Sequence, residues 1–324
     1  MICICGGGTG GHLRIAKALA IEFKNKGQNC VFIGSTSGQD KMWFENTDIF
    51  ETTYFLPSSG VVNKKGFKKF FSLLNIIKLS FACKKIFKKH KIHTVISVGG
   101  YSAAAPSIAS VLFGLPLFIH EQNAKVGRLN ELLKPFCKHF FSSYFKDNES
   151  NFWDYPVSSE FFDNARERND LKCVLFLGGS QGASFINNLA LNLAPILNRK
   201  GISIIHQCGA KEFDEISAKY EQIGIKAELF AFSKEIANLM NKADLCISRA
   251  GASSLWELAA NALPTIFIPY PHAASDHQYY NAKFLADNNL AKILRQNEAD
   301  EKAILQIIEN INLKIISSGL KSII

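Results

Sequence analysis

Met1-Ile2-Cys3-Ile4-Cys5-Gly6-Gly7-Gly8-Thr9-Gly10-Gly11-His12 opens the chain: an apolar run, five glycines among residues 6–11, then a histidine. A short apolar run of this kind reads as a buried strand. The glycines permit positive φ and let backbone N–H groups approach a ligand at the start of the following helix. The device recurs in the second half. Lys172–Leu177 reads as a strand and is followed by Gly178-Gly179-Ser180-Gln181-Gly182-Ala183, then an amphipathic stretch. Asp244–Ser248 is followed by Arg249-Ala250-Gly251-Ala252-Ser253-Ser254-Leu255-Trp256-Glu257-Leu258. Strand, glycine cluster, helix, repeated in both halves, predicts two related α/β domains.

Outward from these loops, short β-rich runs alternate with amphipathic stretches. In the first half the expected strands are Met1–Cys5, Asn29–Ile33, His93–Val98, Pro116–His120 and Lys138–Ser142. In the second they are Lys172–Leu177, Ile202–Gln207, Ala227–Phe230, Asp244–Ser248 and Thr265–Pro269. The polar, turn-rich stretch Lys146–Leu171, with Pro156, reads as the linker, dividing residues 1–155 from 156–324. Thr94–His120 is uncharged up to its last residue, but Gly99, Gly100, Pro106, Gly114 and Pro116 break it into strand, loop, helix and strand. It is not expected to span a membrane.

The chain's 324 residues, 47% hydrophobic and 20% charged, suit two globular domains with cores of their own. Its eight cysteines form no C-x-x-C pair and lie mostly in apolar runs, as buried thiols of a reducing compartment would. Met1 leads directly into a strand, so no signal peptide is expected. The net charge of +9 is local, because residues 64–91 hold ten lysines and no acid. That block is interleaved with phenylalanines and no recognition motif accompanies it, which argues against nucleic acid.

The loops narrow the chemistry. The first is not a G-x-G-x-x-G loop with an acid some twenty residues on, so NAD is disfavoured. No G-K-[ST] follows the second, so it is not a Walker loop; its small residues and the Ser180 hydroxyl suit a diphosphate. Glu257, in the first two turns after the third loop, is placed to meet vicinal hydroxyls, as on a ribose. Asp276-His277-Gln278 and Asn281 gather polar groups suited to a sugar after Pro269-Tyr270-Pro271. Taken singly, each also reads as a ligand-free turn, a capping glutamate or a polar loop.

Phe67–Lys91 reads as a helix with two apolar stripes. Phe67, Phe70, Phe71, Leu74, Ile77 and Phe81 form the one expected to face the core. Leu73, Ile76 and Phe87 form a second, expected to be exposed between Lys64, Lys65, Lys68, Lys69, Lys84, Lys85, Lys88 and Lys89. Lysines flanking an exposed apolar stripe suit an anionic membrane surface, with Lys64, Lys65, Phe67, Lys68, Lys69, Phe70, Leu73 and Ile76 as candidate contacts.

Together, Gly7–His12, His120-Glu121-Gln122-Asn123, Gly178–Ala183, Arg249–Glu257 and Gln278…Asn281-Ala282 resemble the motifs of the MurG family in order and approximate spacing. The resemblance runs from Met1 to about residue 295 and is specific as a set. It implies a GT-B architecture, two Rossmann-like domains with parallel sheets facing a central cleft. The first domain would bind acceptor and membrane, the second UDP-N-acetylglucosamine, and the last helix would pack back on the first. The implied reaction moves N-acetylglucosamine, with inversion, to the C4 hydroxyl of undecaprenyl-diphosphate-N-acetylmuramyl-peptide at the cytoplasmic face of the inner membrane. Other cell-wall synthesis proteins are possible partners.

Carried over by motif, His12 resembles the proposed catalytic base. Thr9, Gly10, Gly11, Asn123, Ser180, Gln181, Phe232, Ser233, Ala252, Ser253, Ser254, Leu255, Trp256, Glu257, His277 and Gln278 fall at donor positions, and Gly8, Gly99, Gly100 and Tyr101 at the acceptor diphosphate. No Asp-x-Asp pair is present, so no obligatory metal or other cofactor is expected. The family's Gly-Asn-Pro-Val-Arg at the domain junction reads Asp154-Tyr155-Pro156-Val157-Ser158 here, removing an arginine that Arg249 or Lys172 would have to replace. Two alternatives stay open: another GT-B transferase with a lipid acceptor, and a non-catalytic sugar-nucleotide-binding protein.

Overall fold

The opening run is strand β1 (Ile2–Cys5), buried along its whole length, and the glycine loop after it feeds helix α1 (Gly10–Asn25). The chain continues through β2 (Cys30–Ser35), α2 (Asp40–Phe44), β3 (Thr52–Leu56), α3 (Gly66–Lys89), β4 (Thr94–Ser97), α4 (Ala104–Leu112), β5 (Leu117–Glu121), α5 (Arg128–Leu133), β6 (His139–Ser142) and β7 (Asn151–Phe152). This computed structural model describes residues 1–60, 66–144, 151–152, 155–179, 182–233 and 235–323, with only the backbone of 68, 69, 151 and 152. All seven strands are parallel, in the order β3-β2-β1-β4-β5-β6-β7. Parallel strands covered by helices are buried on both faces, which is why these runs are apolar without alternation.

The second half repeats the plan with α6 (Ser159–Asp163), β8 (Cys173–Leu177), α7 (Ser184–Arg199), β9 (Ser203–Gln207), α8 (Phe213–Gln222), β10 (Glu228–Phe230), α9 (Ile236–Lys242), β11 (Leu245–Ser248), α10 (Ala252–Ala260), β12 (Thr265–Phe267), α11 (His277–Asp287), β13 (Lys292–Ile293), α12 (Glu301–Asn310) and α13 (Leu313–Ile323). Its six parallel strands run β10-β9-β8-β11-β12-β13, the same order shifted by one unit. The two halves form separate compact units, Met1–Pro156 and Val157–Ile324.

Each unit closes on its own core. In the first, Cys3, Cys5, Val31, Ile33, Val95 and Ile119 of the sheet meet Ile76, Cys83, Ile86 and Phe87 of α3 and the alanines of α4. All eight cysteines are free, and burial pushes the Cys5 and Cys83 thiols up to about 12, so they act as small hydrophobes. In the second unit, Val174, Phe176, Leu245, Ile247 and Ile266 pack against Ile186, Leu193 and Leu197 of α7.

Helix α3 faces the other way from the sequence expectation. Phe67 (84% exposed), Phe70, Phe71, Leu74, Ile77 and Phe81 point outward, as does Leu73, whereas Ile76 (8%) and Phe87 lie in the core. Ile76 is therefore not a surface residue. The reason is packing rather than hydrophobicity. The inward face carries small groups at Ser72, Ser80 and Cys83, which let α3 approach α4 closely, and the Ser80 hydroxyl donates to the carbonyls of Ile76 and Ala105. A face of phenylalanines would hold the helices apart.

The strands β3, β7 and β13 escaped the sequence reading. All are edge strands; β7 and β13 have only two residues each, and β3 is half-exposed throughout. Helix α13 buries Leu313, Ile316, Ser317 and Leu320, and the Ser317 hydroxyl donates to the carbonyls of Arg166 and Ala262, all within the second unit. Among the described residues no helix is long and apolar enough to cross a membrane, and Thr94–His120 folds as strand, loop, helix and strand.

Candidate active site

In each sheet the chain reverses its winding beside the central strands, β1/β4 in one unit and β8/β11 in the other. Ligands of open parallel sheets bind outside the carboxyl ends of the strands at such a switch point. The glycine loops lie there.

In the first unit the loop amides divide into two groups. Gly6 N donates to Ile33 O at 3.3 Å, Gly7 N to Gly99 O at 3.1 Å, and Gly8 N to the Asp40 carboxylate. These three N–H groups point into the protein, so Gly8, expected at the acceptor diphosphate, has its amide committed to Asp40. Gly10 and Gly11 open the sixteen-residue α1, where the first amides have no intrahelical acceptor. A helix N-terminus of this kind favours an anion. Thr9 is the N-cap residue, yet its hydroxyl hydrogen-bonds Nδ1 of His12 at 2.9 Å instead of capping the backbone. The far edge of the His12 ring lies over Gly99, where a β-carbon would stand 3.2 Å from Nε2.

Gly99 and Gly100 both have positive φ, at +86° and +79°, and a β-carbon at Gly100 would overlap the Gly7 carbonyl oxygen. Tyr101 follows, its hydroxyl donating to Ser37 O at 2.7 Å and its ring edge against Gly8. His12, Gly99 and Tyr101 thus border one loop. Asn123 sits after β5, where the buried Glu121 carboxylate accepts its backbone N–H at 2.9 Å and those of Gly127 N and Asn130 Nδ2, also at 2.9 Å. Burial raises the Glu121 carboxyl above its usual range, and these bonds oppose the rise.

In the second unit Ser180 and Gln181 lie outside the described residues. Gly182 has φ +73°, and a β-carbon there would stand 2.6 Å from the Cys208 carbonyl oxygen. Asn187 of α7 donates to that same carbonyl at 3.0 Å and to Glu212 at 2.8 Å. Gly251 is the N-cap of α10, whose first turn holds Ala252, Ser253 and Ser254. Leu255 and Trp256 are buried, Trp256 against Phe284, so their side chains belong to the core. Glu257 is buried on the same helix. Phe232 is exposed beyond β10, and Ser233 accepts the Glu235 amide at 3.0 Å. His277 and Gln278 open α11, preceded by Ser275 and Asp276 in left-handed conformation (φ 54° and 55°). Burial lowers the His277 pKa and the adjacent Asp276 opposes it, which favours a neutral ring at pH 7.

Comparison with known proteins assigns this pair of sites to a family. Residues 2–142 match the model of the glycosyltransferase family 28 N-terminal domain, and residues 173–319 that of its C-terminal domain. A Campylobacter fetus protein named UDP-N-acetylglucosamine–N-acetylmuramyl-(pentapeptide) pyrophosphoryl-undecaprenol N-acetylglucosamine transferase is 63% identical over 324 residues, covering 100% of this chain and 96% of the relative. A Sulfurimonas denitrificans protein of the same name is 53% identical over 307 residues, 95% of this chain and 90% of its own length. The chain belongs to glycosyltransferase family 28, in its MurG group. The crystal structure of Acinetobacter baumannii MurG superposes with a TM-score of 0.78 at 27% identity, covering 98% of this chain and 93% of that one. The fold is accordingly GT-B.

The two residues expected to stand in for the family's junction arginine are placed differently. The Arg249 guanidinium is buried, donating to the carbonyls of Ile268 and Pro269 at 3.0 and 3.2 Å and to Gln296 at 2.6 Å, with Phe185 and Tyr270 beside it. Its charge holds the ends of β11 and β12. Lys172 is exposed beside Asp170 and precedes β8, at the opposite end of that strand from the Gly178 loop. Ser158 itself is exposed at the start of α6. Two residues that matter to the site, Asp40 and Glu121, were not singled out by the sequence. Asp40 is a lone acid in a polar stretch, while Glu121 sat in view inside a motif read for its neighbours.

Proposed function

We propose that the chain transfers N-acetylglucosamine from UDP-N-acetylglucosamine to the C4 hydroxyl of undecaprenyl-diphosphate-linked N-acetylmuramyl-pentapeptide, with inversion. The observation that carries the reading is His12, an imidazole fixed by Thr9 beside two glycine loops, in a chain 63% identical along its whole length to a transferase so named. A base needs the tautomer with its proton on Nδ1, and the Thr9 oxygen is placed to accept that proton. Nε2 then carries the lone pair that takes the C4 hydroxyl proton as the oxygen attacks the anomeric carbon and the bond to UDP breaks. The first-turn amides of Gly10 and Gly11, which the family motif assigns to the donor, are read here as suiting the acceptor diphosphate instead, with Gly99, Gly100 and Tyr101 beside them. In the second unit, the α10 N-terminus with Ser253, Ser254 and Glu257 suits the nucleotide, and His277 and Gln278 the donor sugar. The Gly178–Ala183 loop suits the departing diphosphate.

The acceptor's lipid requires the protein to work at a membrane surface. The outward face of α3, with Phe67, Phe70, Phe71, Leu74, Ile77 and Phe81, supplies an apolar patch. Phe81 packs edge-on against Phe113, over which Lys84 lies at 4.4 Å, extending the patch to the end of α4. Exposed Lys78, Lys85, Lys88 and Lys89 surround it on the same helix, each adding about 1 kcal/mol near anionic lipid. Lys64 and Lys65 lie outside the described residues, as do the side chains of Lys68 and Lys69. The protein then sits peripherally on the cytoplasmic face of the inner membrane.

The test is UDP release from UDP-N-acetylglucosamine with and without a lipid-diphosphate-N-acetylmuramyl-pentapeptide analogue, with the product weighed by mass spectrometry. Acceptor-dependent release with the mass of one added N-acetylglucosamine is expected. Donor binding without transfer would favour a different acceptor or a non-catalytic protein.

A further inference from the structure

Asp40 is wholly buried beneath the first glycine loop and fills the space that the glycines leave. Its Oδ1 accepts the Gly8 N–H, and its Oδ2 accepts the Ser35 N–H at 2.7 Å. A β-carbon at Gly7 would stand 2.6 Å from both carboxylate oxygens, and one at Gly34 would stand 2.8 Å from Oδ2. The carboxylate therefore ties the loop after β1 to the end of β2, from below. On the other side of the same residue, the Tyr101 ring lies against Gly8. Gly8 is held between the two. The next residue is Thr9, whose hydroxyl bonds His12.

We propose that Asp40 is a positioning residue for the transfer reaction, setting His12 through the Gly8 amide and the Thr9 hydroxyl. The inference rests on the reading of His12 as the base. A glycine loop with φ values of +123°, +155° and +87° at Gly6, Gly7 and Gly8 has many conformations open to it. An inward acceptor for the Gly8 N–H selects the one in which Thr9 begins α1 with its side chain toward His12. Without that acceptor the Gly8 amide can turn outward to solvent or to the ligand, rotating the Gly7–Gly8 peptide and with it the φ of Gly8 that sets the direction in which Thr9 leaves the loop. The Thr9 oxygen then leaves Nδ1, and the imidazole loses the Thr9 contact that favours a proton on that nitrogen. An asparagine offers only one acceptor oxygen to two backbone donors, so Asp40→Asn breaks this arrangement with little change in volume.

The experiment is a double-mutant cycle of Asp40→Asn and Thr9→Val on acceptor-dependent turnover, with pH profiles of kcat/KM. Melting temperature and donor affinity are recorded first; should D40N not fold, D40S, which leaves room for a water, takes its place. Each single variant is expected to lower kcat about tenfold or more and to move the acid limb of the profile in the same direction, with the donor affinity of D40N within about twofold of wild type. The double variant should be no worse than the poorer single one by more than about twofold. Additive losses, or a fall in amplitude with the acid limb unmoved, would overturn the inference, because a carboxylate that only stabilises the fold acts independently of Thr9. The variant His12→Asn separates the two levels. Near-normal turnover there removes the base reading itself, whereas an inactive H12N with an additive cycle removes only the part assigned to Asp40.

Discussion

The side-chain oxygen of Gln278 accepts the backbone N–H of Ala250 at 3.2 Å. The same oxygen accepts the Tyr270 N–H at 2.9 Å, and Asn281 Nδ2 donates to the Ala250 carbonyl at 3.3 Å. Helix α11 thus grips the peptide that leads into α10 from both sides. Two backbone donors fix which end of the Gln278 amide is oxygen, so the other end is the NH2 group and can only donate.

Gln278→Glu separates those two roles. The oxygen is kept, and the NH2 donor becomes an acceptor. The donor KM is expected to rise about tenfold or more with the melting temperature little changed, since a buried-site donor lost to its partner costs about 1–3 kcal/mol. Gln278→Leu should weaken both donor binding and stability. Steady-state kinetics with varied donor and thermal unfolding read the two effects, and an unchanged donor KM in Q278E would mean that the NH2 group touches no donor.

His12→Ala should lower turnover by roughly 10²-fold at unchanged donor affinity, the usual scale of a lost general base. Single-turnover rates with saturating acceptor measure it. Turnover within a few-fold of wild type would leave His12 a binding residue at most.

What the sequence made legible follows from where each signal is stored. The strand–glycine–helix units are local. Apolar runs such as Cys173–Leu177 and the turns that end them lie within a dozen residues, so the central strands of both sheets can be expected from those runs alone. The inward face of α3 is stored elsewhere. Its periodicity contains two stripes, and the choice between them depends on how closely α4 approaches, which the small residues Ser72, Ser80 and Cys83 encode only once the neighbour is known. Asp40 is less legible still, because its partner Gly8 is 32 residues away and neither residue has a periodic pattern around it. The buried Arg249, one of the two guesses for replacing a lost arginine, meets carbonyls 19 and 20 residues on.

The orientation of α3 gives opposite outcomes on its two faces. Ile76→Ala should destabilise the protein by about 2–4 kcal/mol and leave vesicle binding per folded molecule unchanged. Phe70→Ser should leave stability within about 0.5 kcal/mol and weaken co-sedimentation with anionic vesicles, more so at high salt. Chemical denaturation and liposome sedimentation on the same two variants decide it. If F70S unfolds more easily than I76A, the helix is turned the other way.

Arg168 should be irreplaceable for stability rather than activity. Fully buried, it donates to the carbonyls of Ala243, Arg166, Met240 and Asn261 and to the Asn261 side chain, placing a cation where α9 and α10 end. That is the negative end of both helices. Arg168→Met takes one donor each from the Ala243, Arg166 and Met240 carbonyls, which keep Arg166, Ser317 and the Ala243 N–H as partners, and removes the guanidinium from both oxygens of Asn261, and should cost more than about 3 kcal/mol. Arg168→Lys should recover little, because an ammonium cannot reproduce the planar fork. A melting temperature within a few degrees of wild type in R168M would contradict the assignment.

Acid should weaken the fold through two buried imidazoles. Burial alone pulls His206 down to about 4, and desolvation does the same to His120, neither of whose ring nitrogens has a hydrogen-bond partner. Both are neutral when folded and titrate near 6.5 when unfolded. Between pH 6.5 and 4 the unfolded chain therefore binds the extra protons, and stability falls as pH drops through that window, by on the order of 3 kcal/mol for each residue. Above pH 6.5 these groups contribute no pH dependence. His206 cannot be replaced cleanly, since Asn187 lies 3.0 Å from one nitrogen and Tyr220 3.3 Å from the other. His120 can. With no hydrogen bond to lose and Tyr155 already packed edge-on at 6.0 Å, His120→Phe removes the proton uptake and keeps the ring. The variant should melt near wild type at pH 7 and above it at pH 5, and its unfolding should bind about one proton fewer between the two. Calorimetry at both values measures the difference, and parallel losses in wild type and H120F would show that His120 is already protonated in the folded chain.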